Sequence, residues 1–237
     1  MSIIKTFSLV LPAYNEELNI RNCIEEFEKT GVFTEIIVVD NNSTDNTAEE
    51  IKKTSAIYIL EKKQGYGIAL RSGMNRCTSN YIVMCEPDGT FRASDIHKFL
   101  CYIDEFDCVF GTRTAKSTIQ KGAKMQFYLR VGNVIVAKLL EYSFFGPTIT
   151  DVGCTYKLLS KKSYDQIKDK LTVTKSELQP EIMVHLINNS NKIIEIPVNY
   201  LQRKGKSKIT YNFTSSLAVA LRMVILLINL RFRRYFK

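Results

Sequence analysis

An α/β protein with a mostly parallel sheet flanked by helices is the fold class this sequence predicts, on three observations. Short apolar runs alternate with amphipathic stretches through the first half, the pattern of repeated βα units. Each early run stops at a polar loop, PAYNE, DNNSTDNT, EKKQGYG or EPDGT, where an open α/β sheet builds its ligand site. The composition is that of a globular chain, 45% hydrophobic and 24% charged with 11 Gly and 5 Pro in 237 residues, and that length can bury a full core.

Strands are expected at 7–11, 35–40, 56–60, 81–85 and 108–111, with helices near 16–29, 45–53, 66–76 and 94–103 between them. The second half reads differently. A long amphipathic helix at 124–145 carries Arg130 and Asn133, and TDVGCTYKLLS follows it. A helix near 178–190 and a strand pair in IIEIPVNYLQR come next. No internal repeat or low-complexity linker interrupts the chain. The simplest parse is one domain over 1–212 and a C-terminal helical appendage over 213–237.

That appendage reads SSLAVALRMVILLINLRFRRYFK. Its apolar core, 217–230, is shorter than the roughly 20 residues of an untilted membrane span, and Arg222 interrupts it. On a helix, Ser215, Arg222 and Asn229 recur every seven residues as one narrow polar stripe. With its Arg- and aromatic-rich end, the segment is expected to lie in a membrane interface with basic residues toward anionic lipid. Packing on its own domain or on a second copy is the competing reading, and a true transmembrane span is the third.

Charge sharpens the picture. The formal net charge is +9, and residues 201–237 hold nine basic and no acidic residues, which leaves 24 of each in residues 1–200. An anionic partner near the C-terminus is therefore expected, a phosphate or a membrane surface. Nucleic acid is not expected, since no zinc-finger spacing, RNP-like motif or basic recognition helix is present. Cys23, Cys77, Cys85, Cys101, Cys108 and Cys154 are scattered without CxxC pairing, as free thiols of a reducing compartment are. The opening MSIIKTFSLVLPAYNEE lacks a charged leader and a small-residue cleavage site. A cytoplasmic location, peripheral at the cytoplasmic face of a membrane, is the expectation.

Several chemistries lack their motifs. There is no GxxxxGK[ST] loop and no GxSxG elbow, and Gly65-Tyr66-Gly67 lacks the third glycine of a dinucleotide fingerprint. His97 and His185 lie in helical patterns without zinc spacing. What remains is the set of loops. Pro87-Asp88-Gly89 is turn chemistry, yet it places Glu86 and Asp88 where a strand ends, with the Thr90 hydroxyl nearby. Two carboxylates with open positions suit Mg²⁺ or Mn²⁺ held jointly with a diphosphate. Asp40 ends its strand as an acceptor suited to a base or ribose, while Ser43, Thr44 or Asp45 would cap the following helix.

Taken in order, LPAYNEE, VVDNNSTDNTAE, KKQGYGIALRSGM and CEPDGTF resemble the nucleotide-sugar half of family 2 glycosyltransferases with the GT-A (Rossmann-like) fold. The likeness is strongest to dolichol-phosphate mannose synthases and other polyprenyl-phosphate sugar synthases. It continues through VFGTRT, TDVGCTYKLLS, LQPEIM and IIEIPVNYLQRKGKSK, covering about residues 5–210. The resemblance implies nucleotide-sugar binding by Pro12, Tyr14, Glu16, Asp40, Gln64, Glu86 and Asp88. It implies Glu86, Asp88 and Thr90 around a metal, with Asp88 at the second aspartate of the family's Asp-x-Asp motif. It also implies that Arg113, Arg130, Arg203, Ser207 and Lys208 grip the acceptor phosphate and leaving diphosphate, with Asp88, Arg113 and Arg203 closest to the chemistry. Glu86 departs from the pattern. Its extra methylene moves the carboxylate by about one bond length and makes Asp88 the safer ligand.

Displacing a nucleoside diphosphate builds negative charge on the leaving phosphates, which a divalent cation and arginines stabilise. A hydroxyl acceptor also needs a general base, and Asp151, Glu177 and Glu181 are the candidates; Glu181 equally suits orienting an arginine. An acceptor phosphate needs no base. The chain has no tryptophan, so the Gln-x-x-Arg-Trp motif of the processive polysaccharide synthases is absent. The expectation is inverting, metal-dependent transfer of one hexose from GDP-mannose or a UDP-hexose to polyprenyl phosphate. Transfer to a glycan hydroxyl and a catalytically inactive nucleotide-sugar-binding domain are the alternatives.

Overall fold

In the computed structural model, which describes residues 4–123, 127–203 and 213–235, seven strands make one sheet. They are β1 (Phe7–Ala13), β2 (Glu35–Asp40), β3 (Ile57–Leu60), β4 (Tyr81–Met84), β5 (Cys108–Thr112), β6 (Lys157–Ser160) and β7 (Ile193–Pro197), ordered β3-β2-β1-β4-β6-β5-β7. β1 pairs in parallel with β2 and β4, β2 with β3, and β5 with β7. β6 alone is reversed, antiparallel to both β4 and β5. The sheet is thus mostly parallel, as the βα alternation predicts, with one inverted strand that no local pattern announced.

The helices are α1 (Ile20–Glu28), α2 (Thr47–Lys52), α3 (Tyr66–Arg76), α4 (Ile96–Leu100), α5 (Phe127–Phe144), α6 (Lys161–Ile167), α7 (Leu178–Asn188) and α8 (Phe213–Tyr235). They cover both faces of the sheet, which is why β1 and β2 read as near-continuous apolar runs. Along β1, Leu9 and Leu11 face one core layer with Ile20, Ile24 and Ile51 of α1 and α2. Val10 faces the other, with Leu70 of α3, Leu140 of α5, Ile182 of α7 and Met223 of α8. The alternation of strand side chains assigns these layers directly.

Three expectations change. α1 starts at Ile20 rather than near residue 16, because 16–19 form a turn in which Glu16 accepts from the Asn19 side-chain amide at 2.9 Å. IIEIPVNYLQR supplies one strand, not two. After Pro197 the chain runs on irregularly, with isolated bridges from Tyr200 to Phe91 and Ile119. The C-terminal segment, read as an appendage, lies against α5 and α7. Its Val219, Met223 and Leu227 join the same core layer as Val136 and Leu140, and side chains so buried contribute about 1.5–3 kcal/mol each. Arg222 of α8 also pairs with buried Glu177 just before α7. All six cysteines are free, four of them buried.

Candidate active site

The loops converge where the strand order reverses. β4 accompanies β1 only over Phe7–Val10, while Leu11, Pro12 and Ala13 pair with β2 alone. A crevice therefore opens beyond Val10 and Met84, at the switch point where open α/β sheets bind ligands. Pro12, with no N–H to give, sits in the stretch that has lost its β4 partner.

Asparagines lace the first three loops into one rim. Asn15 and Asn42 adopt left-handed backbone (φ 52° and 62°), which Asn tolerates better than other side chains. The Asn15 side-chain Oδ1 accepts from the Thr44 N–H at 2.8 Å, and the Glu16 N–H donates to the Thr47 hydroxyl at 2.8 Å. Asn41 donates to the Lys63 carbonyl at 2.9 Å and accepts from the Gly65 N–H at 2.7 Å. Asp40, buried at the crevice wall, accepts from the Ser43 N–H at 2.9 Å and the Tyr58 hydroxyl at 3.2 Å. The N-cap of α2 is Asn46, which makes no side-chain cap bond, rather than one of Ser43, Thr44 and Asp45; Asp45, one residue earlier, accepts from the Thr47 N–H at 3.0 Å. Tyr14 and Gln64 lie exposed on this rim.

Gly65 and Gly67 make room for a second-half segment. Glu181, read as a base candidate, is buried and accepts from the Thr172 N–H, the Thr172 hydroxyl and the Val173 N–H at 2.8–3.1 Å. That holds residues 172–175 across the start of α3, where the Gly67 N–H donates to the Thr174 carbonyl at 2.9 Å. A Cβ on Gly67 would stand 2.8 Å from the Val173 carbonyl oxygen and 2.9 Å from that of Lys175. Backbone cannot step aside as a side chain can. Gly67→Ala is therefore expected to cost about 2–3 kcal/mol by overpacking, read as a lower midpoint in urea unfolding; an unchanged midpoint would mean the 172–175 segment is loosely held. Tyr66 accepts from the Gln179 amide at 3.2 Å, joining α3 to α7.

The charged centre lies across the crevice. Asp88, buried after β4, has one oxygen bound by the Thr90 N–H at 2.9 Å and the Thr90 hydroxyl at 2.5 Å. Thr90 thus orients Asp88. The other Asp88 oxygen pairs with Arg203, whose same nitrogen lies 3.4 Å from Glu86. Enclosure and the neighbouring Asp88 push the Glu86 carboxyl above its ordinary range, with Arg203 and Arg113 opposing. Arg203 arrives from far along the chain because Asp95 grips Asn199, accepting from its N–H at 2.5 Å and its amide at 2.7 Å. The Leu201 N–H then donates to the Thr90 carbonyl at 2.8 Å.

Arg113, just past β5, is locked by Asp151. The carboxylate accepts from the guanidinium at 2.8 and 2.9 Å and from the Arg113 N–H at 3.0 Å. Burial pushes the Asp151 carboxyl up, but Arg113 and its hydrogen bonds hold it below the usual range. Glu195 of β7 fixes that loop in turn, accepting from the Thr150 N–H at 2.9 Å and the Asp151 N–H at 3.0 Å. Asn133 of α5 accepts from the Gly153 N–H at 3.2 Å. The Arg113 guanidinium lies 5.4 Å from the Tyr200 ring centroid, a cation–π distance.

The base candidates are corrected by these contacts. Asp151 holds Arg113, Glu177 holds Arg222 and Glu181 holds residues 172–175; each carboxylate is buried and already accepting. Arg130 stacks 5.7 Å from the Phe127 ring on the first turn of α5, and α5 reaches the centre through Asn133 instead. Ser207 and Lys208 lie outside the described residues. Asn15, Asn41, Glu195 and Tyr200 were not singled out from the sequence. The two asparagines had a signal, Asn in a strand-end loop; Glu195 and Tyr200 had none short of the pairing of β7 with β5.

The donor set fits a hard divalent cation. One guanidinium nitrogen touching both Glu86 and Asp88 shows that their oxygens converge on one cation-sized position, and carboxylate oxygen is the ligand such ions take. Among the described residues no group of three or more His, Cys, Asp or Glu side chains gathers around one metal position. A bound ion would therefore share its remaining positions with other oxygens.

Comparison with known proteins identifies the family and the fold. Residues 8–168 match the sequence family described as Glycosyl transferase family 2. The low-salt glycan biosynthesis hexosyltransferase Agl6 of Haloferax volcanii is 28% identical over 213 residues, 87% of this chain and 50% of that protein. Glycosyltransferase AglJ of the same organism is 27% identical over 84% of this chain and 64% of its own length. The chain thus spans half to two thirds of these two relatives. A dolichyl-phosphate hexose transferase of Haloferax volcanii is 28% identical over 85% of this chain and 86% of its own length. Among solved structures, glucosyl-3-phosphoglycerate synthase from Mycobacterium tuberculosis, in complex with Mn²⁺ and uridine diphosphate, superposes with a TM-score of 0.74 at 16% identity, over 96% of this chain and 80% of that one.

Proposed function

The chain belongs to glycosyl transferase family 2, and we propose that within it this protein moves a hexose from a nucleotide sugar to a polyprenyl phosphate at a membrane surface. The observation that carries this reading is the pairing of Arg203 with both Glu86 and Asp88, with Arg113 beside it over Tyr200. Two carboxylates that converge on a cation position meet two arginines that can accept anionic oxygens. The dolichyl-phosphate hexose transferase of Haloferax volcanii, similar over most of both chains, supports the acceptor class. The Mn²⁺ and uridine diphosphate bound by the mycobacterial synthase support the donor class.

Each part then has a physical task. The laced loops after β1, β2 and β3 present Asp40, Tyr14 and Gln64 to the nucleoside. Glu86 and Asp88 would hold Mg²⁺ or Mn²⁺, which supplies positive charge to the leaving diphosphate. Arg203 adds one cation beside the carboxylates and Arg113 a second held by Asp151, and both would stabilise charge that grows as the glycosidic bond breaks. Asp151 keeps Arg113 aimed, a positioning role it fills through the two-point contact at 2.8 and 2.9 Å. An acceptor phosphate is already anionic, so the commitment of Asp151, Glu177 and Glu181 elsewhere costs this reaction nothing; a hydroxyl acceptor would have wanted one of them as base.

The deciding experiment incubates the protein with labelled GDP-mannose, UDP-glucose and related donors, Mn²⁺ or Mg²⁺, and a short-chain polyprenyl phosphate in detergent. Label passing into the organic phase with one donor is expected. Label appearing only on glycan hydroxyls, with the lipid phosphate inert, would overturn the acceptor assignment.

A further inference from the structure

We infer that Tyr66 reads the hexose of the nucleotide sugar, donating its hydroxyl proton to a sugar oxygen, and that Gln179 is the positioning residue that aims it. The inference rests on the glycosyl-transfer reading above and deepens it from a donor class to the group that touches the sugar. The two residues come from the first turns of α3 and α7. Glycines on both sides of Tyr66 let the 173–175 backbone close over α3. A Cβ on Gly65 would stand 2.6 Å from the Thr174 carbonyl oxygen, and one on Gly67 2.8 Å from that of Val173. That approach brings the Gln179 amide to the Tyr66 hydroxyl, to which it donates at 3.2 Å.

Stability alone does not account for a glutamine at this position. Gln179 is 1% exposed, and its Oε1 is buried with no hydrogen-bond partner among the described residues. An unpaired buried acceptor destabilises, and a methionine would fill a similar volume without one. The amide's one polar partner among the described residues is Tyr66, and what it does there is directional. A hydroxyl that accepts from Gln179 keeps its own proton for another oxygen. Burial, and next the charge of Glu86, pushes the Tyr66 hydroxyl well above the ordinary phenol range, so it stays a donor.

Place and chemistry select the ligand. Tyr66 follows Gly65, whose N–H is held by Asn41 of the rim, and Glu86 acts on its hydroxyl through charge rather than through a hydrogen bond. These two neighbours put Tyr66 between the loops assigned to the nucleoside and the carboxylates assigned to the metal. In a nucleotide sugar the hexose hangs from the phosphate farther from the nucleoside, at the metal end. The anionic phosphate oxygens have Arg203, Arg113 and the cation to meet. A neutral phenol beside a carboxylate suits a neutral oxygen instead. A sugar hydroxyl is that oxygen, and a site built to hydrogen-bond one discriminates strongly against a sugar that lacks it.

The test is calorimetric binding to the full chain, with Mg²⁺ present, of GDP-mannose against GDP and of UDP-glucose against UDP. Parent, Tyr66→Phe, Gln179→Met and the double variant are compared. For the nucleotide sugar that the parent binds, each single variant is expected to weaken affinity roughly fivefold, the effect of one hydrogen bond, with the bare diphosphate left at its parent affinity. The double variant should bind no more weakly than Tyr66→Phe alone, since Gln179 acts through the hydroxyl. It should also unfold at or above the parent temperature, because both polar partners and the orphaned Oε1 are removed together. A pair that only clamps α3 to α7 would give the reverse, earlier unfolding with sugar binding intact, and would overturn the inference. Equal weakening of the bare diphosphate would move Tyr66 onto the phosphates and overturn it as well. A parent that binds neither nucleotide sugar would overturn the glycosyl-transfer reading and this inference with it, whereas a parent that binds one and variants that bind it equally well would overturn the inference alone.

Discussion

Replacing Asp88 by Asn is expected to lower sugar transfer at least about 10³-fold, roughly 4 kcal/mol of transition-state stabilisation. The amide keeps an oxygen for the Thr90 N–H and hydroxyl, which bind one Asp88 oxygen at 2.9 and 2.5 Å. The turn should therefore persist, and thermal unfolding should stay near that of the parent. What disappears is the charge on the oxygen facing Arg203. Raising Mn²⁺ should not restore the rate, since one of two converging carboxylates is gone. Steady-state kinetics across a Mn²⁺ titration decides it. Activity within tenfold of the parent would place the metal elsewhere.

Arg203→Ala should separate two properties that usually fall together. Turnover should drop about 10²-fold or more, the effect of removing one charged group that stabilises a leaving oxyanion. Binding of Mn²⁺ to the nucleotide-free protein should instead tighten, by about tenfold. Arg203 now pairs with both Glu86 and Asp88; without it the two carboxyl groups face one another, and a divalent ion competes for them only with a proton rather than with a guanidinium. Electron paramagnetic resonance of free Mn²⁺ against protein concentration measures that affinity without any turnover. Weaker or unchanged binding would show that Arg203 does not compete with the ion.

The contrast between Glu86 and Arg203 shows what a sequence makes legible. Glu86 and Asp88 declare themselves because a turn, a strand end and two carboxylates occupy one short stretch, and local chemistry fixes their placement. The parallel half of the sheet is legible for the same reason, since each βα unit repeats a pattern within about 30 residues. The inverted strand β6 is not: KLLS is only four residues, and nothing local to it specifies antiparallel insertion between β4 and β5. Roles of buried acids were equally hidden. Asp151 and Glu181 look like bases in a list of carboxylates, and only their partners, Arg113 and the 172–173 amides, reveal them as supports. For α8 the heptad-spaced polar stripe was visible, while the choice between burying and exposing its two apolar faces depended on α5, a partner about 80 residues away in the chain.

The place of β6 in the sheet also dictates an order of assembly. The first four strands can pair among themselves as soon as they exist, but β5 touches only β6 and β7. It must wait, synthesised but unpaired, until a strand nearly 50 residues further on has docked against β4. Arg203 comes later still, 117 residues beyond Glu86. Pairings of such long sequence separation form slowly. A β1–β4 half formed ahead of the rest would carry an open edge at β4 and the Glu86–Asp88 pair without its arginine. Such an edge invites strand addition by other chains until β6 docks against it.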